Sequence, residues 1–236
     1  MSSSIGGGTP VFLMSTLAVK AAMVDHIIPQ FEQTTGYRVD ALFDPTNVLQ
    51  KRVAEGQMAD VLIATDVYVS KLNSEHRMVA STVAPLVKTG VGVAIAMDAP
   101  SCSIDSVDAF RNMLCNASSV AYSRTGASGV YFAKPLDRLG IADQIAMRST
   151  IIEKGFTGEC IVQGIADVAI QQMSELHAVR GIRVLGPLPE EIQSYTDFWI
   201  GMFAGRAQSE STNAFVQFLK SAFACTAYEA LGLTVL

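Results

Sequence analysis

Apolar runs of strand length alternate with segments of helical periodicity along the first third of the chain. The predicted elements are strands at residues 11–14, 37–43 and 60–64, and helices at residues 17–33, 48–55 and 67–75. Alternation of this kind is typical of βαβ units and predicts a largely parallel sheet. Ligands bind such sheets outside the carboxyl ends of the strands, so the turns that follow the strands are the first place to look for a site.

Two long extended runs interrupt this alternation, at residues 86–97 and 195–204. Segments of that length are suited to cross from one domain to another. We therefore predict an α/β fold of two lobes, each a mostly parallel sheet flanked by helices, with two hinge crossings. Lobe 1 combines residues 1–84 with 200–236 and lobe 2 comprises residues 85–199. The ligand is expected in a cleft between the lobes, which closes by hinge motion.

Small hydroxyl and glycine residues fill one turn near the middle of the chain. Residues 120–122 predict the end of a strand, and a helical pattern begins at Val130. The first amides of a helix lack internal partners and carry partial positive charge, so the turn predicts an anion site. Its candidate ligand-binding residues are Arg124, Thr125, Ser128 and Gly129. The alternative is an ordinary capped helix with a solvated arginine.

Two earlier turns have the same arrangement of strand, hydroxyl and helix. Ser15 and Thr16 follow the first strand, and Thr46 and Asn47 follow the second. Because the carboxyl ends of parallel strands meet at one edge of a sheet, we expect these groups to contribute to the same anion site.

The composition narrows the class of partner. The 236 residues are 17% charged with a net charge of −5, which argues against a nucleic-acid-binding protein. The net charge does not argue against the small anionic ligand predicted from the turns, because a local site can be positive on an acidic protein. No apolar run approaches the roughly 20 residues that span a bilayer, so membrane insertion is not expected. The four cysteines are widely spaced, which favours free thiols and predicts neither a metal nor a cofactor; they are Cys102, Cys115, Cys160 and Cys225.

Residues 1–8 contain neither the basic start nor the apolar core of a secretory signal. Two localisations remain open: periplasmic if a signal peptide has been removed, and cytoplasmic otherwise.

Short motifs over nearly the whole chain resemble the type II periplasmic solute-binding proteins, and within them the molybdate-binding branch. The matching segments are Ser15-Thr16-Leu17 (first oxyanion-binding helix cap), residues 31–36 (F-x-x-x-T-G), 46–49 (second ligand turn), 55–61 (G-x-x-A-D-V), 164–175 (a further ligand contact) and 181–189 (turn before the return crossing). Each motif is short, but their order and spacing together are specific for the fold. The resemblance implies solute capture and, for an exported protein, membrane subunits of an ABC transporter as partners.

Two departures from the branch concern the ligand. Gln172 aligns where a molybdate receptor of this branch typically has tyrosine, and Arg124 introduces a fixed cation beside Thr125. A buried arginine requires an anionic partner, so we hypothesise a small di- or tricarboxylate rather than molybdate.

The same branch includes aconitate-isomerase-like proteins, and this resemblance implies an enzymatic alternative. Interconversion of trans- and cis-aconitate needs carboxylate-binding groups and a group that moves a proton next to a carboxylate. The candidates for the proton carrier are Glu175 and Tyr131, and His177 is a weaker one.

Overall fold

The computed structural model describes residues 9–206 and 209–236, in which strands and helices alternate as predicted. The strands are β1 (Val11–Ser15), β2 (Val39–Phe43), β3 (Val61–Thr65), β4 (Ala84–Ala96), β5 (Val120–Ser123), β6 (Ser149–Ile152), β7 (Val168–Gln172), β8 (Ile182–Pro187), β9 (Tyr195–Met202) and β10 (Thr234–Val235). The helices are α1 (Lys20–Ala22), α2 (Ile28–Thr35), α3 (Thr46–Ala54), α4 (Asp66–Ser74), α5 (Val107–Asn116), α6 (Ala127–Arg138), α7 (Ala142–Ala146), α8 (Gly158–Val162), α9 (Met173–His177), α10 (Glu210–Phe218) and α11 (Ala222–Glu229).

The chain forms two compact units that divide within β4 and β9. Unit 1 ends at Lys88 and resumes at Asp197, and unit 2 comprises Thr89–Thr196. The predicted boundaries lay four residues earlier in the first crossing and three residues later in the second.

In unit 1, β1 lies between β2 and β3 and is parallel to both. The strand β9 returns antiparallel to β3, and β10 pairs antiparallel with the first part of β4. Alternate residues of the central strands reach opposite faces: Leu13 and Ile63 belong to one apolar cluster, and Met14 and Leu62 belong to another. The sheet is therefore covered on both sides, as parallel sheets generally are.

In unit 2, β5 lies between β6 and β7 and is parallel to both. The second part of β4 pairs antiparallel with β7 and β8. Among the pairings described, every antiparallel one involves β4 or β9, the long strands predicted as crossings. The predicted α/β class with sheets flanked by helices is thus confirmed.

The first long helix follows the predicted range but is not uniform. A 3-10 turn (Leu17–Val19) and a π turn (Met23–Ile27) interrupt it before α2. Pro29 has no N–H and cannot make the i to i−4 bond, and the wider π turn just before it accommodates that loss. Gly36, at φ +75°, ends α2 as predicted.

Several other observations bear on the sequence expectations. All four cysteines are free thiols. The strand β8 falls in a segment for which only a turn was expected. The prediction about a secretory signal concerns residues 1–8, which lie outside the described residues. None of the helices within residues 9–206 and 209–236 is long and apolar enough to cross a membrane.

Candidate functional site

In unit 1, the end of β1 brings two hydroxyl residues to the start of a helix. Ser15 and Thr16 are 0% and 4% exposed. The Thr16 N–H donates to the Ile63 carbonyl (2.9 Å), and the Ser15 carbonyl accepts from the Asp44 N–H (3.1 Å). Thr16 precedes the 3-10 turn without making a side-chain cap, so the first amides of this helix are not satisfied by its hydroxyl.

The turn after β2 adjoins the turns after β1 and β3. The hydroxyl of Thr46 accepts a hydrogen bond from the Thr65 N–H (3.3 Å). The helix α3 begins at Thr46 with Pro45 at its N-cap, two residues earlier than predicted. The structure therefore brings Ser15, Thr16 and Thr46 together at one edge of the sheet of unit 1.

Asn47 occupies different surroundings. It lines a groove of about 390 Å³ between α3 and α4, together with Lys51, Tyr68, Lys71 and Arg77. Its Oδ1 atom is buried and has no hydrogen-bond partner. The Asn47 side chain therefore faces the groove between α3 and α4.

A buried ion pair supports this edge of unit 1. Asp44 is 2% exposed and accepts from Nε of Arg52 at 2.8 Å, with the NH2 nitrogen of Arg52 also at 2.8 Å. Sequence reasoning did not include Asp44 among the site residues. The available signal was its spacing, because an acid just before a helix and an arginine eight residues later lie close enough to pair.

In unit 2, the turn after β5 is closed by Ser123. This serine is 3% exposed, and its hydroxyl accepts from the N–H groups of Thr125 (3.3 Å) and Gly126 (3.0 Å). The helix α6 then begins at Ala127, three residues earlier than predicted, with Gly126 at the N-cap and no side-chain cap. Its first amides lack intrahelical partners and carry partial positive charge.

Ser128 and Gly129 lie in the first turn of α6. Ser128 is 1% exposed. A Cβ atom on Gly129 would lie 1.7 Å from the Ser123 carbonyl oxygen, so only glycine fits where the helix approaches the end of β5. The glycine is thus required for packing, and only its backbone could face a ligand.

The expectation that Arg124 is a buried cation was wrong. Its side chain is 64% exposed, and its Nε lies 3.0 Å from Oε1 of Glu153, which is 69% exposed. The Arg124 N–H donates to the Ile152 carbonyl (2.9 Å), and the Thr125 hydroxyl donates to the Glu153 carbonyl. The inference that burial of Arg124 demands an anionic ligand therefore does not hold. Glu153 was missed because β5 and β6 bring it beside Arg124 from 29 residues away.

Gln172 is buried against the long strands of the fold. It is 2% exposed, and its amide satisfies most partners when its oxygen accepts from the Thr196 hydroxyl (3.0 Å) and its nitrogen donates to the carbonyls of Gly90 (3.0 Å) and Thr89 (3.3 Å). In this arrangement the side chain joins two extended segments within unit 2.

The two candidate proton carriers are both engaged in internal contacts. The Tyr131 hydroxyl donates to the Ile192 carbonyl (3.0 Å), with the Gln193 carbonyl at 3.1 Å. Glu175 is 7% exposed, and its carboxyl group bonds the Gln172 N–H and the Gln171 side chain. His177, the weaker candidate, is exposed at the end of α9.

Burial raises the pKa of Glu175 from 4.5 to about 8, although the bonds from Gln172 and Gln171 act in the opposite direction. Glu175 therefore holds a proton at neutral pH. Its bond to the Gln172 N–H is the return bond of a capping box, because Gln172 is the N-cap of α9 and Glu175 the third helical residue.

Gln171 was not among the predicted ligand-binding residues, although it precedes Gln172 at the end of the same strand. Its Oε1 accepts from the N–H (2.6 Å) and hydroxyl (3.0 Å) of Thr157, and its Nε2 donates to the Gly155 carbonyl (2.9 Å). Successive strand residues point to opposite faces, so two adjacent glutamines at the end of a buried strand indicated polar groups on both faces.

The part of the chain that the structure describes contains no group of three His, Cys, Asp or Glu residues arranged to hold a metal ion.

Comparison with known proteins places the chain in a family. Residues 13–234 match the profile of a family described as bacterial extracellular solute-binding protein. Aconitate isomerase from Pseudomonas sp is 29% identical over 232 residues, which cover 95% of this chain and 88% of that relative.

Two solved structures have a similar fold. The Azotobacter vinelandii periplasmic molybdate-binding protein superposes with a TM-score of 0.78 at 13% identity, covering 96% of this chain and 99% of that one. The Mycobacterium tuberculosis sulfate-binding protein SubI gives a TM-score of 0.71 at 16% identity, covering 96% and 86%. Because the family profile spans almost the whole chain, the protein belongs to the bacterial extracellular solute-binding proteins, with the type II periplasmic-binding fold that its sequence predicted.

Proposed function

We propose that this protein captures a small di- or tricarboxylate at the turn that begins α6. The observation that carries the proposal is an uncapped helix start directly beside an exposed guanidinium. Gly126 provides no side-chain cap to α6, and Arg124 has 64% of its side chain exposed. The amides of the first helical turn bind one carboxylate, and Arg124 binds another or a second oxygen of the same group.

The pairing of Arg124 with Glu153 does not prevent this. Both side chains are largely exposed, and ion pairs of this kind contribute only about 0–1 kcal/mol. A ligand carboxylate can therefore replace Glu153 as the partner of Arg124 at little cost. The displaced Glu153 remains in solvent.

The hydroxyl groups of unit 1 are proposed as neutral anion-binding groups at the edge of the sheet of that unit. Ser15, Thr16 and Thr46 offer neutral donors beside an uncapped helix start. Neutral donors suit either a carboxylate or a compact oxyanion, so the charge at Arg124 supplies the preference for carboxylates. For a receptor, the partners would be the membrane subunits of an ABC transporter.

Aconitate isomerisation is the second candidate, favoured by the relative of that name that matches 95% of this chain. Such a reaction removes a proton next to a carboxylate and returns it to the carbon framework at another position. Glu175 carries a proton at neutral pH, but its carboxyl group is held by Gln171 and Gln172. Catalysis would require Glu175 or Tyr131 to leave its present partners.

One experiment separates these functions. The purified protein is titrated calorimetrically with citrate, trans-aconitate, molybdate and sulfate, and trans-aconitate is also followed by proton NMR. Binding of the acids without turnover supports the receptor, and conversion to cis-aconitate supports the enzyme. Tight molybdate or sulfate binding with no response to either acid would refute the carboxylate proposal.

Matched variants test the site itself. Arg124→Gln should weaken citrate binding, whereas Lys134→Gln, a change of the same sign of charge further along α6, should not. Thr16→Val and Thr46→Val report whether unit 1 contributes to the same binding event. Equal affinities for wild type and Arg124→Gln would show that Arg124 does not provide the preference for carboxylates.

A further inference from the structure

The loop of residues 153–157, between β6 and α8, is held at both of its ends. At its start, Glu153 pairs with Arg124, and the Glu153 carbonyl accepts from the Thr125 hydroxyl. At its end, the backbone of Gly155 and Thr157 bonds the side chain of Gln171. The loop therefore links the turn that begins α6 to the carboxyl end of β7.

The amide of Gln171 uses its full hydrogen-bonding capacity. Its oxygen accepts twice from Thr157, one nitrogen hydrogen goes to the Gly155 carbonyl, and the side chain also bonds the Glu175 carboxyl group. An amide has two acceptor sites and two donor hydrogens, so every site is used. The acceptor at Glu175 fixes which end of the amide faces Thr157, because the nitrogen must point toward Gly155 and Glu175.

We propose that Glu175 is a positioning residue that, through Gln171, holds the loop of residues 153–157 and with it the partner of Arg124 at the anion-binding turn. The inference rests on the proposed function for its effect on binding, but its effect on the loop does not need a ligand. Glu175 acts through its neighbours, because its carboxyl group bonds the Gln171 side chain and the Gln172 N–H.

The protonation state of Glu175 gives this arrangement a pH dependence. Because burial raises its pKa to about 8, Glu175 is neutral at pH 7 and becomes a buried anion above pH 8. The ionised carboxylate accepts more strongly from Gln171 and Gln172, but desolvation is the larger contribution to the pKa, so the buried charge favours entry of water and rearrangement of its surroundings. Protection of the loop should therefore fall as pH rises through 8. The accompanying release of Glu153 from Arg124 should strengthen anion binding by a small factor, because Glu153 competes with the ligand for the guanidinium.

Several other charged or titratable groups lie on the elements around Glu175. They are Glu159 and Cys160 on α8, His177 on α9, Arg183 on β8, and Glu153 and Lys154 in the loop. Glu159 and His177 are exposed, and the Arg183 guanidinium donates to the Ala99 carbonyl (2.6 Å). Burial raises the pKa of Cys160 above 9.0, so its thiol ionises after Glu175.

The test uses Glu175→Gln, which is isosteric with the neutral acid and cannot ionise. The control is Glu159→Gln, the same chemical change on an exposed residue of α8. Hydrogen exchange of the amides of residues 153–157 is measured without ligand from pH 6.5 to 9.5, after correction for intrinsic exchange. Citrate and trans-aconitate affinities are measured by calorimetry over the same range.

In wild type and Glu159→Gln, protection of the Thr157 amide should fall above pH 8, and anion affinity should rise by a small factor as Glu153 releases Arg124. In Glu175→Gln both quantities should stay level. Gln171→Met, which keeps the chain length but cannot bond Thr157, should lose protection at every pH.

Level protection at Thr157 in wild type, or the same decline in Glu175→Gln, would overturn the proposal. If Glu175→Gln did not fold, the wild-type exchange profile would still decide the matter. If the wild type bound neither acid while Thr157 protection followed Glu175 as expected, the carboxylate function would fail and the positioning role would stand.

Discussion

Each unit buries one acidic side chain, and the two acids have different kinds of hydrogen-bond partner. Asp44 in unit 1 and Glu175 in unit 2 are the buried acids among residues 9–206 and 209–236. Asp44 pairs directly with the Arg52 guanidinium. Glu175 is hydrogen-bonded to amide groups, whereas Arg124, just before α6, is exposed and pairs with Glu153.

Because of this difference, the two units are expected to respond differently to pH and salt. The Asp44–Arg52 pair supports a turn in unit 1 whose candidate ligand-binding groups are neutral hydroxyls and amides. A neutral buried acid and an exposed cation respond to pH, salt and competing anions. Under the proposed function, unit 2 therefore provides both the selectivity for charged ligands and the sensitivity of binding to pH and salt.

The largest expected effect is on the stability of Glu175→Gln. Between pH 4.5 and 8 folded Glu175 holds a proton that the unfolded chain has lost, so the free energy of unfolding falls as pH rises across this window and levels off above it. The variant lacks this loss and should be more stable than wild type at pH 8 by on the order of 4 kcal/mol. Urea unfolding at pH 4, 6 and 8 measures it, and parallel pH profiles would contradict the prediction.

Asp44→Asn should have the opposite sign. The substitution leaves Arg52, which is 35% exposed, without its carboxylate, and unit 1 should lose about 2 kcal/mol of stability. Glu75→Gln is the control, because Glu75 is exposed and lies 3.9 Å from Lys71. Urea unfolding at pH 7 compares the two variants, and equal losses would mean that burial of Asp44 does not strengthen its pair.

Arg124→Gln and Glu153→Gln should change citrate affinity in opposite directions. Loss of Arg124 should weaken binding about fivefold, near 1 kcal/mol, whereas loss of Glu153 removes a competitor for the guanidinium and should strengthen binding by a smaller factor. Calorimetry at low and high salt measures both, and salt should reduce both effects. Changes of the same sign would count against the exchange of Glu153 for a ligand carboxylate.

The smallest effect is expected for Thr46→Val. It removes the hydroxyl that accepts from the Thr65 N–H at 3.3 Å, a neutral hydrogen bond of about 0.5–1 kcal/mol. Thr34→Val, at an exposed hydroxyl of α2, is the control. Thermal unfolding without ligand measures both, and an unchanged midpoint for Thr46→Val would show that this contact does not stabilise the turn.

The strands and helices of the fold followed from the sequence pattern, but the helix starts did not. Sequence reasoning expected hydroxyl residues to cap α3 and α6, whereas Pro45 and Gly126 occupy the N-cap positions. In the second case Ser123 uses its hydroxyl on turn amides before the helix. Each helix consequently begins earlier than expected, and Ser128 becomes helical.

The positions of candidate residues in turns after neighbouring strands were predicted more reliably than the surroundings of residues that contact distant parts of the sequence. Ser15, Thr16 and Thr46 meet because the strands before them are parallel neighbours. The exposure of Arg124 depends on Glu153, and the surroundings of Gln172 depend on Gly90 and Thr196. A single sequence contains no direct signal for such pairings before the strand order is known.

The division of unit 1 has a kinetic consequence. Thr89–Thr196 is continuous, so all of unit 2 is synthesised before Asp197 emerges from the ribosome. The strand β3 can pair with β9, in which Met202 lies opposite Val61, only after residue 202 has been synthesised. The first part of β4 can pair with β10 only after Thr234 has been synthesised. Contacts of such large sequence separation form slowly. Nascent unit 1 therefore exposes an unpaired sheet edge until Thr234 is synthesised, and a chain that stalls before this point is the form most prone to aggregation.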